Sequence, residues 1–89
     1  MSVRDDIRWL QEADDRLKLF VQIAKKDHCQ VKTLKELIGS DDWWPVKHHC
    51  KTLEERGLIE KTGEGTYRTT EDGEKVFESL RTVADIESV

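Results

Sequence analysis

Val46-Lys47-His48-His49-Cys50-Lys51-Thr52-Leu53-Glu54-Glu55-Arg56-Gly57-Leu58-Ile59-Glu60 is the stretch on which the fold turns. Val46, His49, Cys50 and Leu53 recur at i, i+3, i+4 and i+7, the spacing of a helical face turned toward a core. Lys47, His48 and Lys51 then fall on the outward side. Gly57 suits the left-handed residue that closes a helix. The spacing predicts a helix over about residues 42–56, with Ser40, Asp41 and Asp42 as candidate N-caps. Pro45 is tolerated in a first turn but disfavours a helical conformation at Trp44, which bears on where both tryptophans point.

Downstream, Leu58-Ile59-Glu60-Lys61-Thr62 and Thr66-Tyr67-Arg68-Thr69 flank Gly63-Glu64-Gly65, and a short glycine-bearing connection between two such runs predicts a β-hairpin. Thr70-Glu71-Asp72-Gly73 is read as the cap of a last helix whose apolar positions are Val76, Phe77, Leu80, Val83 and Ala84. Upstream, Thr33-Leu34-Lys35-Glu36 matches a capping box for a short helix ended by Gly39, with a very short strand expected at Val31-Lys32. Before that, Leu17, Phe20, Val21 and Ala24 form the apolar stripe of a helix opened by Asp14-Asp15 and closed by Lys25-Lys26.

Helix, short helix, tight turn, longer helix and hairpin, in that order, is a winged helix-turn-helix pattern: mainly α with a small β-hairpin, a three-helix core plus wing and C-terminal helix. The quoted stretch resembles the end of the recognition helix in small archaeal and bacterial winged helix-turn-helix transcriptional regulators. Tyr67-Arg68-Thr69-Thr70-Glu71-Asp72-Gly73 resembles the junction that follows their wing. The resemblance runs from about Asp14 to Leu80. It departs at Cys50, where leucine is usual, and at Trp43-Trp44-Pro45, where small polar residues are customary. It implies a transcription regulator that binds double-stranded DNA, the helix of residues 42–56 in the major groove and the wing of residues 58–69 on the backbone. Small archaeal members often dimerise through terminal helices, so a homodimer is expected.

With 89 residues, the chain has apolar material for one core. Residues 13–84 are assigned to the domain, residues 1–12 to an N-terminal extension and residues 85–89 to a tail. Ile7, Trp9 and Leu10, with Val83, Ile86 and Val89, exceed the obvious needs of so small a core; a helical extension packed on the last helix, across a two-fold dimer, would use them. No signal peptide or membrane span is read from the sequence, and a cytoplasmic location is expected. Cys29 and Cys50 are read as reduced thiols. His28-Cys29 and His48-His49-Cys50 carry zinc-binding atoms, but their spacing matches no standard ligand pattern, so no metal or other cofactor is expected. Serine and histidine lack a motif that would juxtapose them, and Gly63-Glu64-Gly65 is too short to cradle a phosphate, so no enzyme, small-molecule substrate or catalytic residue is read.

The formal net charge of -4 argues against indiscriminate nucleic-acid binding, so any DNA contact must come from a local patch. From Trp43 to Leu53 there is no acidic residue. The candidate DNA-binding residues are therefore Trp44, Lys47, His48 and Lys51 on the longer helix, with Lys61 and Arg68 on the wing. Trp43 continues the Val46-Cys50 stripe and is read as core. Trp44 is left for stacking on DNA sugars or for a dimer interface. The alternative function is a protein-interaction winged helix, whose acidic surface and Trp44 dock a partner without touching DNA.

Overall fold

The computed structural model describes residues 3–26, 29–63 and 65–84, without the side chains of Val83 and Ala84. The chain is mainly helical, with a small three-stranded antiparallel sheet. Its helices are α1 (Val3–Gln11), α2 (Asp14–Lys25), α3 (Val31–Leu37), α4 (Trp44–Glu55) and α5 (Glu71–Ala84). Its strands are β1 (Cys29–Gln30), β2 (Ile59–Gly63) and β3 (Thr66–Thr69), in the order β1-β3-β2. Among the described residues no helix is long and apolar enough to cross a membrane.

Helix α2 is the centre of the molecule, touching α1, α3, α4, α5 and β3. That is why its buried set exceeds the predicted stripe: Leu19 and Ile23 are fully buried alongside Phe20, while Leu17 and Ala24 are only half-buried. A helix surrounded on several sides hides more than one face. Leu17 instead lines, with Val21 and Leu37, an apolar groove between α2 and α3. Phe20 meets Phe77 of α5 edge to face, centroids 6.4 Å apart, and Leu34, Val46, Cys50, Leu53, Val76 and Leu80 complete the core.

Two helix ends follow glycine chemistry. Gly39 (φ 66°) donates to Glu36 O while Ser40 N–H reaches Lys35 O, and Gly57 (φ 78°) donates to Glu54 O while Leu58 N–H reaches Leu53 O. Both pairs of bonds satisfy the last carbonyls of a helix, and a left-handed glycine is what lets the chain turn back to make them.

The starts of α3 and α4 differ from expectation. The short strand lies at Cys29–Gln30 rather than Val31-Lys32, because Cys29 and Gln30 pair with Tyr67 and Thr66 of β3. Helix α3 therefore opens at Val31, its N-cap is Gln30 without a side-chain bond, and Thr33 lies inside the helix instead of capping it. Helix α4 opens at Trp44 with Pro45 in its first turn; its N-cap is Trp43, again without a side-chain bond. None of the three candidate caps is used. Ser40 Oγ instead donates to Asp42 O at 2.8 Å and accepts from Asp42 N–H at 3.2 Å, which holds the turn between α3 and α4.

The N-terminal segment is helical and packs on α2 and α5 of its own chain. Ile7 is 8% exposed and Leu10 is fully buried, so these apolar residues are used intramolecularly. Ile86 and Val89, and the side chain of Val83, lie outside the described residues.

Candidate nucleic-acid interface

The candidate face is set on α4 by the division of the helix into two sides. Val46, Cys50 and Leu53 are fully buried, which fixes the rotation of the helix about its axis. With these residues inward, Trp44, Lys47, His48 and Lys51 are exposed, as their spacing requires. Among the described residues no carboxylate lies within ion-pairing distance of Lys47, Lys51 or Lys61.

Two i, i+4 pairs order the first turns of the helix. The Trp44 and His48 rings stack nearly parallel, 8° apart with centroids at 5.4 Å. The Lys47 ammonium lies 4.6 Å from the centroid of Trp43. Neighbours four apart on a helix face meet in this way, and a cation over an indole face is attracted by the negative π cloud. Trp43 is 53% exposed, which corrects its reading as core. The helical wheel does continue the Val46 stripe back to position 43, but at the very start of α4 that direction has passed beyond the packed interior. The i, i+4 spacing of Trp43 to Lys47 was the sequence signal for that contact.

His49 is half-buried, its ring 5.7 Å from that of His48. Burial holds its pKa below the usual histidine value, and the nearby His48 and Arg16 push in the same direction against Asp15. His49 belongs to the inner side of the helix, as its place in the i, i+3, i+4, i+7 stripe predicts. Thr52 Oγ1 donates to its carbonyl at 2.7 Å.

The hairpin divides the two remaining candidates. Glu60 pairs with Arg68 and Lys61 with Tyr67 across β2 and β3, and adjacent strand positions face opposite sides of the sheet. Lys61 shares the side of buried Tyr67, on a strand packed against α4, and its charge reaches the Cys50 thiol. Arg68 is on the other side, held by Glu60 at 2.6 Å. The four α4 residues are thus brought together, Lys61 sits on the strand beside that helix, and Arg68 is apart and engaged with a carboxylate.

Remaining candidates for chemistry are sparse. Cys29 and Cys50 are buried free thiols, Cys29 donating to the Gln22 and Lys26 carbonyls. His28 lies outside the described residues, and among the described ones no group of three or more His, Cys, Asp or Glu is placed to hold a metal ion. No protein-family model, curated protein or solved structure matches this chain.

Proposed function

We propose that the chain is a winged helix-turn-helix transcription regulator that binds double-stranded DNA. In this reading α3 and α4 are the helix-turn-helix, α4 enters the major groove, and the β2–β3 hairpin is the wing on the backbone. The observation that carries it is the outward face of α4: Lys47, His48 and Lys51 are exposed on a helix with no acidic residue from Trp43 to Leu53. On a chain of net charge -4, such a gap in the acid is where a polyanion meets least repulsion. Lysines meet phosphate or guanine edges, and His48 can donate to a purine acceptor. Lys61 would add a backbone contact, whereas Arg68 would first have to leave Glu60.

A second reading, a protein-interaction module of the same fold, is favoured by the overall acidity and by the two exposed tryptophans. A salt titration of binding to mixed-sequence duplex separates the two. For DNA binding, log K falls linearly with log salt, since each neutralised phosphate releases counterions. Lys47→Ala and Lys51→Ala should each weaken binding by about 1 kcal/mol and lower the salt slope by about 1 if the lysine meets phosphate. Absence of duplex binding at low salt would leave the interaction module as the reading to pursue.

A further inference from the structure

Helix α4 carries more exposed aromatic surface than groove reading can use. Trp43 is 53% and Trp44 63% exposed, and Leu37 at 42% is the other large apolar side chain left open among the described residues. The core does not need the indoles, because Val46, Cys50 and Leu53 already fill the inner side of the helix. An indole has a single N–H donor and no acceptor, so two of them at the head of a helix discriminate base edges poorly. What they offer is flat π faces. Such faces stack on bases, and away from its ends a duplex covers every base with its neighbours, so bases there expose theirs only where they are unpaired.

The rings are also held ready. His48 lies parallel to Trp44 at 5.4 Å, and Lys47 covers part of Trp43 at 4.6 Å, so two partners on the same helix restrict the indoles before any ligand arrives. The charge pattern gives the ledge a direction. Asp41 and Asp42 are exposed just before it, while Lys47 and Lys51 follow it along the outward face. A strand whose base rests on the indoles would therefore run its phosphates toward the lysines. A partner that is both anionic along its length and aromatic in its side groups is a nucleic-acid strand with unstacked bases.

We infer that the stacked Trp44–His48 ledge takes an unpaired base, so that this domain favours DNA with a single-stranded segment next to the duplex over intact duplex. The inference rests on the nucleic-acid reading of α4 and specifies what that face recognises. Fluorescence anisotropy on the full chain tests it with three labelled probes: a blunt duplex, the same duplex with a single-stranded oligothymidine tail, and the tail strand alone. The tailed duplex should bind at least about fivefold more tightly than the blunt one, the gain expected of one stacked base. Trp44→Ala should weaken binding to the tailed duplex by several-fold more than binding to the blunt one, so that most of that preference is lost, and Trp44→Phe should keep it, because stacking needs a ring rather than an indole N–H. Lys47→Ala with Lys51→Ala should weaken binding to all three probes. Equal affinity of wild type for blunt and tailed duplex, or equal weakening of both by Trp44→Ala, overturns the inference and leaves the duplex reading standing. Binding to the tail strand with none to blunt duplex supports the ledge and overturns the duplex reading; binding to no probe overturns both.

Discussion

Gly73 shows how one position can depend on a distant segment. It lies in the first turn of α5, where its N–H donates to Thr70 Oγ1 at 3.0 Å, so Thr70 caps the helix as the sequence predicts. The same Thr70 donates through its hydroxyl to Gly57 O, and its N–H bonds Leu58 O at 3.0 Å. This ties together the two stretches on which the resemblance rests, and it brings the chain after Gly57 hard against Gly73. A Cβ on Gly73 would lie 2.0 Å from Leu58 O, a backbone atom that cannot rotate aside. Gly73→Ala is therefore expected to destabilise the chain by about 3 kcal/mol, although alanine is the better helix former. Urea unfolding measures it, and a midpoint equal to wild type would refute the close approach. The cap was legible from Thr70-Glu71-Asp72-Gly73 alone. The need for glycine was not, because the atom that excludes a side chain belongs to residue 58. Trp43 was misread for a related reason: helical spacing tells which side a residue faces, not whether the interior extends that far.

Among the elements, α1 is fastened by an arrangement that no local pattern reveals. Trp9 is in contact with two guanidinium groups, Arg16 of α2 at 3.9 Å and Arg56 at 4.4 Å from its ring centroid. Arg16 also donates to the Trp9 carbonyl, and Asp6 accepts from Arg56 Nε at 3.0 Å. Desolvation lowers the Arg16 pKa, with Glu12 opposing and Arg56 adding to the shift. One tryptophan thus joins α1 to the start of α2 and the end of α4. The apolar content of residues 1–12 was legible as a surplus that had to be covered. Its cover was not, because Arg16 and Arg56 look like ordinary surface charges in sequence. Trp9→Ala is expected to cost about 2 kcal/mol, the sum of lost apolar burial and two cation contacts. Asp6→Asn, which keeps the shape and removes the charge from a partly buried pair, should cost about 1 kcal/mol. Hydrogen exchange would show the loss first in the amides of α1; unchanged protection of α1 in Trp9→Ala would mean that Ile7 and Leu10 hold the helix unaided.

At the scale of the whole molecule, the order of helices and the hairpin were legible because each rests on local periodicity and glycine. The pairing of Cys29–Gln30 with β3 was not, since a two-residue strand has no period of its own. That third strand places Cys29 beside Tyr67, and Tyr67 in turn shares the interior with Cys50 of α4; both Tyr67 and Cys50 are almost wholly buried. Burial pushes the Cys50 thiol up from an ordinary 9.0 to about 12, with Glu54 and Cys29 adding to the shift and Lys61 opposing it. Burial likewise raises the Tyr67 hydroxyl from 10.0 to about 12, reinforced by Cys50 and Glu54. In the unfolded chain these groups release protons at their ordinary values, while the folded chain keeps them. The unfolded state therefore binds fewer protons as pH rises from about 9 toward 12, and stability must fall across that window. His49 acts from the acid side: its lowered pKa favours the neutral form in the fold, so its contribution is present above 6.5 and is lost as pH drops below. The urea midpoint is thus expected to fall steadily above pH 9. Cys50→Ala should begin less stable by about 1–2 kcal/mol, from the methyl-sized void left by the sulfur, yet lose less of its stability across the alkaline window. A wild-type midpoint that stays level through that window, or a Cys50→Ala profile parallel to wild type, would show that the thiol between α4 and β3 is not kept protonated by the fold.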